Sequence, residues 1–180
     1  MTREDELISK IEQGDADALN ELVTAYYPEI LRYCLWHAPN RTLAQDATQE
    51  TFLKAIRYLN KYVHKGKFRA FLYQIAANTC IDMNRKKCAS DIPLDELALN
   101  YSYEEKGYEE AQADMQLQYL IKTLPDELKE LIILRFGQDL TIREIAAITN
   151  VPLRTVQSRL RRALKQLKKE LGQTKRGAKL

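Results

Sequence analysis

The chain has 180 residues, 45% of them hydrophobic and 29% charged, which is typical of a globular protein with one domain or two small ones. Its net charge of +3 is unevenly distributed: residues 89–118 carry eight acidic side chains and one basic one, and residues 153–180 carry ten basic and one acidic, which predicts an anion-binding end. Long apolar stretches, a signal-peptide core and closely spaced cysteines are lacking, which argues against a membrane or disulfide-rich secreted protein and predicts a cytoplasmic one.

The front half of the chain has the pattern of four amphipathic helices. They are predicted at about residues 5–13, 15–38, 43–59 and 69–85. Gly14 ends the first helix, and Pro39 with Asn40 ends the second. The apolar side of the third helix is expected in the core and carries Phe52, Ala55, Ile56 and Leu59.

Polar and charged side chains of this half form separate surfaces. Asp46, Gln49 and Glu50 follow at helical spacing on the third helix, so they make one solvent-facing polar patch. A basic loop at residues 61–67 separates the third helix from the fourth. The acidic segment at residues 88–113 has weak periodicity, and we interpret it as a linker.

The last third of the chain has the signals of a helix-turn-helix. Pro125 is predicted to open a helix that ends at Gly137. Thr141 and Glu144 have the spacing of a capping box, so a short helix begins there and a tight turn follows it. Pro152 then begins a longer helix. Two helices joined by a tight turn, the second one basic, are typical of DNA-binding proteins.

One face of the longer helix is predicted to contact DNA. Arg can form two hydrogen bonds with guanine and Gln two with adenine, and basic side chains further along attract phosphates. The residues expected on this face are Arg154, Thr155, Gln157, Ser158, Arg161, Arg162 and Lys165. Any single basic helix is more simply interpreted as a solvated surface, but the cap, the turn and the hydrophobic spacing together favour DNA binding.

Several segments in order resemble the extracytoplasmic-function sigma factors of bacterial RNA polymerase. The segments that carry this resemblance are residues 14–23, 44–55 and 68–78 in the front half and residues 124–135, 141–146 and 155–163 in the rear half. In that family, the front segments dock on the polymerase and melt the promoter, and the rear segments read the upstream promoter element. Any one of the segments is a weak signal, whereas all of them at these separations are a strong one.

The helical pattern and the resemblance together predict an all-α protein of two small domains, at residues 1–87 and 114–180. The resemblance implies that Asp46, Gln49 and Glu50 bind core polymerase. The residues implied at the downstream promoter element, where a base is extruded, are Tyr62, Lys65, Lys67, Arg69, Tyr73, Asn78, Arg85 and Lys86. The implied partners are core RNA polymerase, promoter DNA and an anti-sigma factor, and no cofactor is expected.

Two positions depart from the family pattern. Phe71 stands where many relatives carry Trp, which leaves stacking at the duplex junction open. Gln157 stands where some relatives carry Arg, which leaves the identity of the upstream element open.

Two other classes of function compete with this one. An enzyme is disfavoured, because His37 and His64 are the only histidines and no nucleophile or phosphate-loop motif accompanies them. Cys34 and His37 lie one turn apart, and we interpret them as core residues rather than metal ligands. An autonomous helix-turn-helix regulator would bind a palindrome unaided, whereas a sigma factor would need core polymerase. We predict a sigma factor that directs promoter recognition, melting and initiation.

Overall fold

Every regular element in the described part of the chain is a helix, which confirms the all-α prediction. The computed structural model describes residues 3–62, 67–88 and 117–177. The chain divides into two units, Met1–Ala98 and Leu99–Leu180, and each is considered by itself. Among these described residues, none of the helices is long and apolar enough to cross a membrane.

The front unit begins with two helices joined by a tight turn. Helix α1 spans Arg3–Glu12, and α2 spans Ala16–His37. Gly14 has a φ of 88° in the turn between them, a backbone conformation that glycine adopts without strain. Asp15 caps α2, because its carboxylate accepts hydrogen bonds from the next free backbone N–H groups.

Two more helices complete the front unit. Helix α3 spans Arg41–Arg57, a 3₁₀ turn follows at Leu59–Lys61, and α4 spans Phe68–Cys88. Helix α3 packs on both α2 and α4. The buried hydrophobic side chains of this unit are Ile8, Ala18, Leu22, Ile30, Leu31, Tyr33, Cys34, Ala44, Ala47, Phe52, Ala55, Leu59, Phe68, Leu72, Tyr73, Ala76 and Cys80.

The prediction that Ile56 belongs to this core is wrong. Its side chain is 39% exposed, whereas the neighbouring Ala55 is 2% exposed. The buried face of α3 follows the series 44, 47, 48, 51, 52 and 55. Because successive helical residues turn by about 100°, the residue after Ala55 points away from that face.

In the described part of the rear unit, a short helical segment at residues 117–121 is followed by the helices α5, α6 and α7. Helix α5 spans Asp126–Ile132 and continues as a π-helical turn at Ile133–Gly137. Helix α6 spans Ile142–Thr149, and α7 spans Leu153–Gly177. The core of this unit includes Ile121, Leu128, Leu131, Ile132, Ile133, Leu134, Leu140, Ile145, Ile148, Val156, Leu160, Ala163 and Leu167.

The position of Pro125 differs slightly from the prediction. It precedes α5 as the N-terminal cap, with extended backbone angles of φ −55° and ψ 146°, and Asp126 is the first helical residue. Its carbonyl accepts the N–H groups of Leu128 and Lys129, each at 2.9 Å. These two hydrogen bonds therefore hold the first turn of α5 to its capping residue.

Candidate nucleic-acid interface

The short helix α6 and the long helix α7 form a helix-turn-helix. At the start of α6, the Thr141 hydroxyl accepts the N–H of Glu144, and the Glu144 carboxylate accepts the N–H of Thr141 at 2.7 Å. This reciprocal pair confirms the predicted capping box. In the turn, Asn150 has a φ of 54°, a left-handed conformation that Asn tolerates better than most residues. The cap and the turn together fix where α7 begins.

The two helices are held together by apolar side chains. Ile145 and Ile148 of α6 are buried, and so are Val156 and Leu160 of α7. On another side of α7, Arg159 pairs with Glu127 of α5, with 3.1 Å between Nη2 and Oε2. These contacts fix the rotation of α7 about its axis and hence the side that faces solvent.

The solvent-facing side of α7 carries most of the residues predicted to contact DNA. Exposed side chains there are Arg154, Ser158, Arg161, Arg162 and Lys165. Thr155 and Gln157 are half-buried. Gln157 and Arg161 also line a groove with Phe136 and Leu164, which the sequence did not predict. Part of Gln157 therefore faces this groove rather than open solvent.

The predicted polar patch on α3 is partly engaged in contacts with other side chains. Asp46 and Gln49 are exposed, and Glu50 is half-buried. The ammonium group of Lys54 lies 3.9 Å from the Glu50 carboxylate and 3.8 Å from that of Asp82 on α4. Lys54 therefore links the patch to α4, a connection that sequence analysis missed.

Tyr62 closes the ends of the predicted basic loop. Its hydroxyl accepts the N–H of Lys67 at 2.9 Å, so this hydrogen bond joins residues near the two ends of the loop. The Tyr62 ring is 5.0 Å from the Phe71 ring and 5.8 Å from the Phe68 ring, measured between centroids. Lys65 lies outside the described residues. The geometry gives Tyr62 a structural contact in addition to any contact with DNA.

Two residues that were predicted to contact the downstream element, Tyr73 and Arg69, instead contact other residues of the front unit. Tyr73 has no exposed surface, and its ring meets that of Tyr33 edge-on at 5.2 Å. Burial raises the pKa of Tyr73, and the nearby Glu29 carboxylate raises it further. The Arg69 guanidinium pairs with Glu29, with 2.5 Å between Nε and Oε1. We therefore remove Tyr73 from the DNA surface and assign Arg69 a structural contact.

The remaining predicted residues of α4 are exposed. Asn78 and Arg85 lie seven residues apart, which is two helical turns, so they share one side of the helix. Lys86 is also exposed, about 100° around the helix from Arg85. An amide and two cations on an exposed helix can bind a base edge and the adjacent phosphates.

Comparison with known proteins identifies the family of this chain. The model of Sigma-70 region 2 matches residues 22–88, and that of Sigma-70 region 4 matches residues 114–167. The ECF RNA polymerase sigma-E factor of Escherichia coli is 31% identical over 170 residues, which cover 87% of this chain and 88% of that protein. This chain belongs to the ECF sigma factors.

Further relatives and solved structures agree with the assignment of this sigma factor. ECF RNA polymerase sigma factor SigW of Bacillus subtilis is 29% identical over 177 residues, covering 91% of this chain and 94% of SigW. The structure of CnrH in complex with the cytosolic domain of CnrY has a TM-score of 0.68 at 20% identity, covering 92% and 95% of the two chains. The structure of RpoE from Bartonella quintana in complex with the anti-sigma factor NepR has a TM-score of 0.62 at 19% identity, covering 85% and 96%. These two structures share the fold.

Family membership decides between the competing functions. The protein is a sigma factor that directs RNA polymerase in transcription initiation, as the sequence predicted, and the autonomous regulator is not favoured. The helix-turn-helix corresponds to the part that matches Sigma-70 region 4, and α3 and α4 lie in the part that matches region 2.

Proposed function

We propose that this sigma factor uses three separate surfaces: the exposed side of α7 for the upstream promoter element, the polar patch of α3 for core polymerase, and the exposed side of α4 with Tyr62 and Lys67 for the downstream element. The observation that carries the proposal is the solvent-facing basic side of α7, held in place by the capping box and the Arg159–Glu127 pair. We also propose that it is not itself an enzyme, because the chemistry belongs to the polymerase, and that it acts in the cytoplasm.

The α7 surface is proposed to combine base recognition with phosphate attraction. Arg154, Gln157 and Ser158 lie in the first two turns and would reach base edges, as the N-terminal residues of recognition helices do. Arg161, Arg162 and Lys165 lie further along and would contact phosphates.

The test measures promoter affinity of the reconstituted holoenzyme at several salt concentrations. Arg161→Ala should weaken binding to all promoters and reduce the slope of log affinity against log salt by about 1. Arg154→Ala should lower the preference for the upstream element. Lys122→Ala removes an exposed basic side chain outside α7, so it is the matched control and should leave the slope unchanged. Equal effects of Arg161→Ala and the control would contradict the assignment.

The α3 patch is proposed to dock on core polymerase through Asp46, Gln49 and Glu50. Asp46 and Gln49 are exposed, and an acidic patch suits a basic partner surface. Asp46→Asn and Gln49→Ala should reduce the affinity for core polymerase in a fluorescence binding titration. As controls, Asp17→Asn removes an exposed carboxylate charge and Asn20→Ala an exposed amide on α2, and both should leave the affinity unchanged.

The downstream surface is proposed to hold an extruded base and its flanking phosphates with Asn78, Lys67, Arg85 and Lys86. Asn78→Ala should reduce permanganate reactivity of thymines in the melted promoter while leaving binding to core polymerase intact. Asn20→Ala is again the control, since it removes an exposed amide elsewhere in the front unit. Normal promoter melting by Asn78→Ala would contradict the role of this residue.

We also propose an anti-sigma partner and a division of the chain at its acidic segment. The solved structures of CnrH and of RpoE hold a partner, which is the cytosolic domain of CnrY in one and the anti-sigma factor NepR in the other. The proposed division is residues 1–87, a linker at 88–113 and residues 114–180. The start of the region 4 match at residue 114 supports it. Limited proteolysis should cut first within the linker, and first cuts inside either domain would contradict the division.

A further inference from the structure

Two cysteines that are far apart in the sequence meet in the front unit. Cys34 lies on α2 and Cys80 on α4, and their sulfur atoms are 3.8 Å apart. Neither forms a disulfide, and the two residues are 0% and 5% exposed respectively. The Cys80 thiol donates a hydrogen bond to the Cys34 sulfur, and this contact lowers the pKa of the Cys34 thiol. The pair therefore brings a thiol of α2 and a thiol of α4 into direct contact.

The pair can be reached from solvent through Cys80. This side chain lines a cleft of about 210 Å³ that is open to solvent, together with His37, Leu43, Met83 and Asn84. One water molecule occupies about 30 Å³ in the liquid, so the cleft can admit a small oxidant such as hydrogen peroxide. Cys80 lines this cleft and Cys34 is fully buried, so an oxidant in the cleft meets Cys80 first.

We propose that Cys34 and Cys80 are an oxidative modification site, at which peroxide converts the two thiols into a reversible disulfide. In the first step, the Cys80 sulfur attacks one peroxide oxygen, which breaks the O–O bond and gives a sulfenic acid, and the hydroxide that leaves takes up the Cys80 proton to form water. In the second step, the Cys34 sulfur attacks the sulfenic sulfur and displaces hydroxide, which takes up the Cys34 proton and leaves as water. Two thiols are oxidised, one peroxide is reduced, and two water molecules form in all. Disulfides of cytoplasmic proteins are typically transient and of this regulatory kind.

The disulfide changes the packing around α4, which carries the proposed downstream surface. Its formation shortens the sulfur–sulfur distance from 3.8 Å to about 2.05 Å, which requires rotation of the two buried side chains, a shift of α2 toward α4, or both. Thr79, next to Cys80, contacts Lys54 of α3 at 3.3 Å, which connects the shift to the polar patch. This consequence for transcription rests on the proposed function, whereas the disulfide itself does not.

The chemical test treats the full reduced chain with hydrogen peroxide and maps its peptides by mass spectrometry. We expect the intact protein to lose two hydrogen atoms and a linked peptide pair to contain Cys34 and Cys80. Cys34→Ser should instead leave Cys80 as a sulfenic acid that dimedone traps. Cys88→Ser is the matched control and should still form the disulfide. Absence of the linked pair in the wild-type chain, or a linkage through Cys88, would overturn the proposal.

The functional test oxidises the sigma factor alone, removes the peroxide and then adds core polymerase. We expect run-off transcription to fall by about tenfold, since a 1 Å displacement near a functional site can have effects of this size or larger, and to recover after dithiothreitol. Run-off transcription with Cys34→Ala should not fall after peroxide treatment, because this variant cannot form the disulfide. If the disulfide forms and transcription is unchanged, the regulatory consequence is wrong and the modification site stands. If the reduced protein also fails to support transcription, the proposed function fails instead.

Discussion

The ion pair between Glu29 of α2 and Arg69 of α4 offers a direct test of how the front unit is held together. The side chains are 19% and 34% exposed, and 2.5 Å separates the Arg69 Nε from the Glu29 Oε1. Tyr73 also hydrogen-bonds to Glu29 from the core. Replacing either charged partner leaves the other partly buried without its counter-charge. The replacements Glu29→Gln, Arg69→Gln and both together form a double-mutant cycle.

The expected coupling energy follows from burial and geometry. A hydrogen bond to a charged group contributes about 1.5–3 kcal/mol, and the partial exposure of Arg69 reduces this by solvent screening to about 1–2 kcal/mol. Glu29→Gln should destabilise the front unit more than Arg69→Gln, because it also weakens the contact with Tyr73. The exposed pair of Arg3 and Glu21, 83% and 46% exposed, is the matched control, with an expected coupling of about 0–0.5 kcal/mol.

The assay is a denaturant titration followed by tryptophan fluorescence. Trp36 is the only tryptophan and lies on α2, so its signal reports on the front unit alone. A coupling energy between Glu29 and Arg69 no larger than that of the control pair would refute the structural role. If Arg69→Gln also kept full stability and lost promoter melting, Arg69 would be a DNA contact, as the sequence alone predicted.

Three further predictions concern local features. Thr141→Ala removes the capping hydroxyl and should cost about 1 kcal/mol, measured as faster hydrogen exchange of α6 amides. Asn150→Val places a β-branched residue at a φ of 54° and should cost about 1–2 kcal/mol in the thermal unfolding of the rear unit, whereas Asn150→Gly should be tolerated. The raised pKa of Tyr73 means that the unfolded chain releases its phenol proton first, so stability is full below pH about 10 and falls above it. Tyr73→Phe should flatten that fall, in Trp36-monitored titrations, by up to about 1.4 kcal/mol per pH unit.

Local signals allowed much of the rear unit to be predicted from the sequence. The capping box of Thr141 and Glu144 depends on side chains three residues apart, and the short turn follows directly from it. The exposed side of α7 follows from the spacing of Val156, Leu160 and Ala163, since their side chains must face the core. Features that are determined within one or two helical turns are visible in the sequence.

Contacts between distant segments could not be predicted in this way. Tyr73 was expected at the DNA surface, yet it follows buried Leu72 and precedes Ala76 and Cys80 by three and seven residues, a spacing that also fits a core position. Whether Tyr73 lies at the surface or in the core depends on Glu29 and Tyr33. These residues are about forty positions away in the sequence and come close to Tyr73 only in the folded protein. The meeting of Cys34 with Cys80 is of the same kind, because sequence spacing shows two separated cysteines and not one pair.

Run-off transcription with bacterial core RNA polymerase on a library of promoter fragments tests the central claim most directly. Core polymerase with this protein should initiate at promoters that share two separated sequence elements, and core polymerase alone should not. Asp46→Asn should lower the yield at all of these promoters, whereas Arg154→Ala should change which upstream elements are selected. No gain in specific initiation, together with tight binding of the free protein to a palindromic site, would contradict the account.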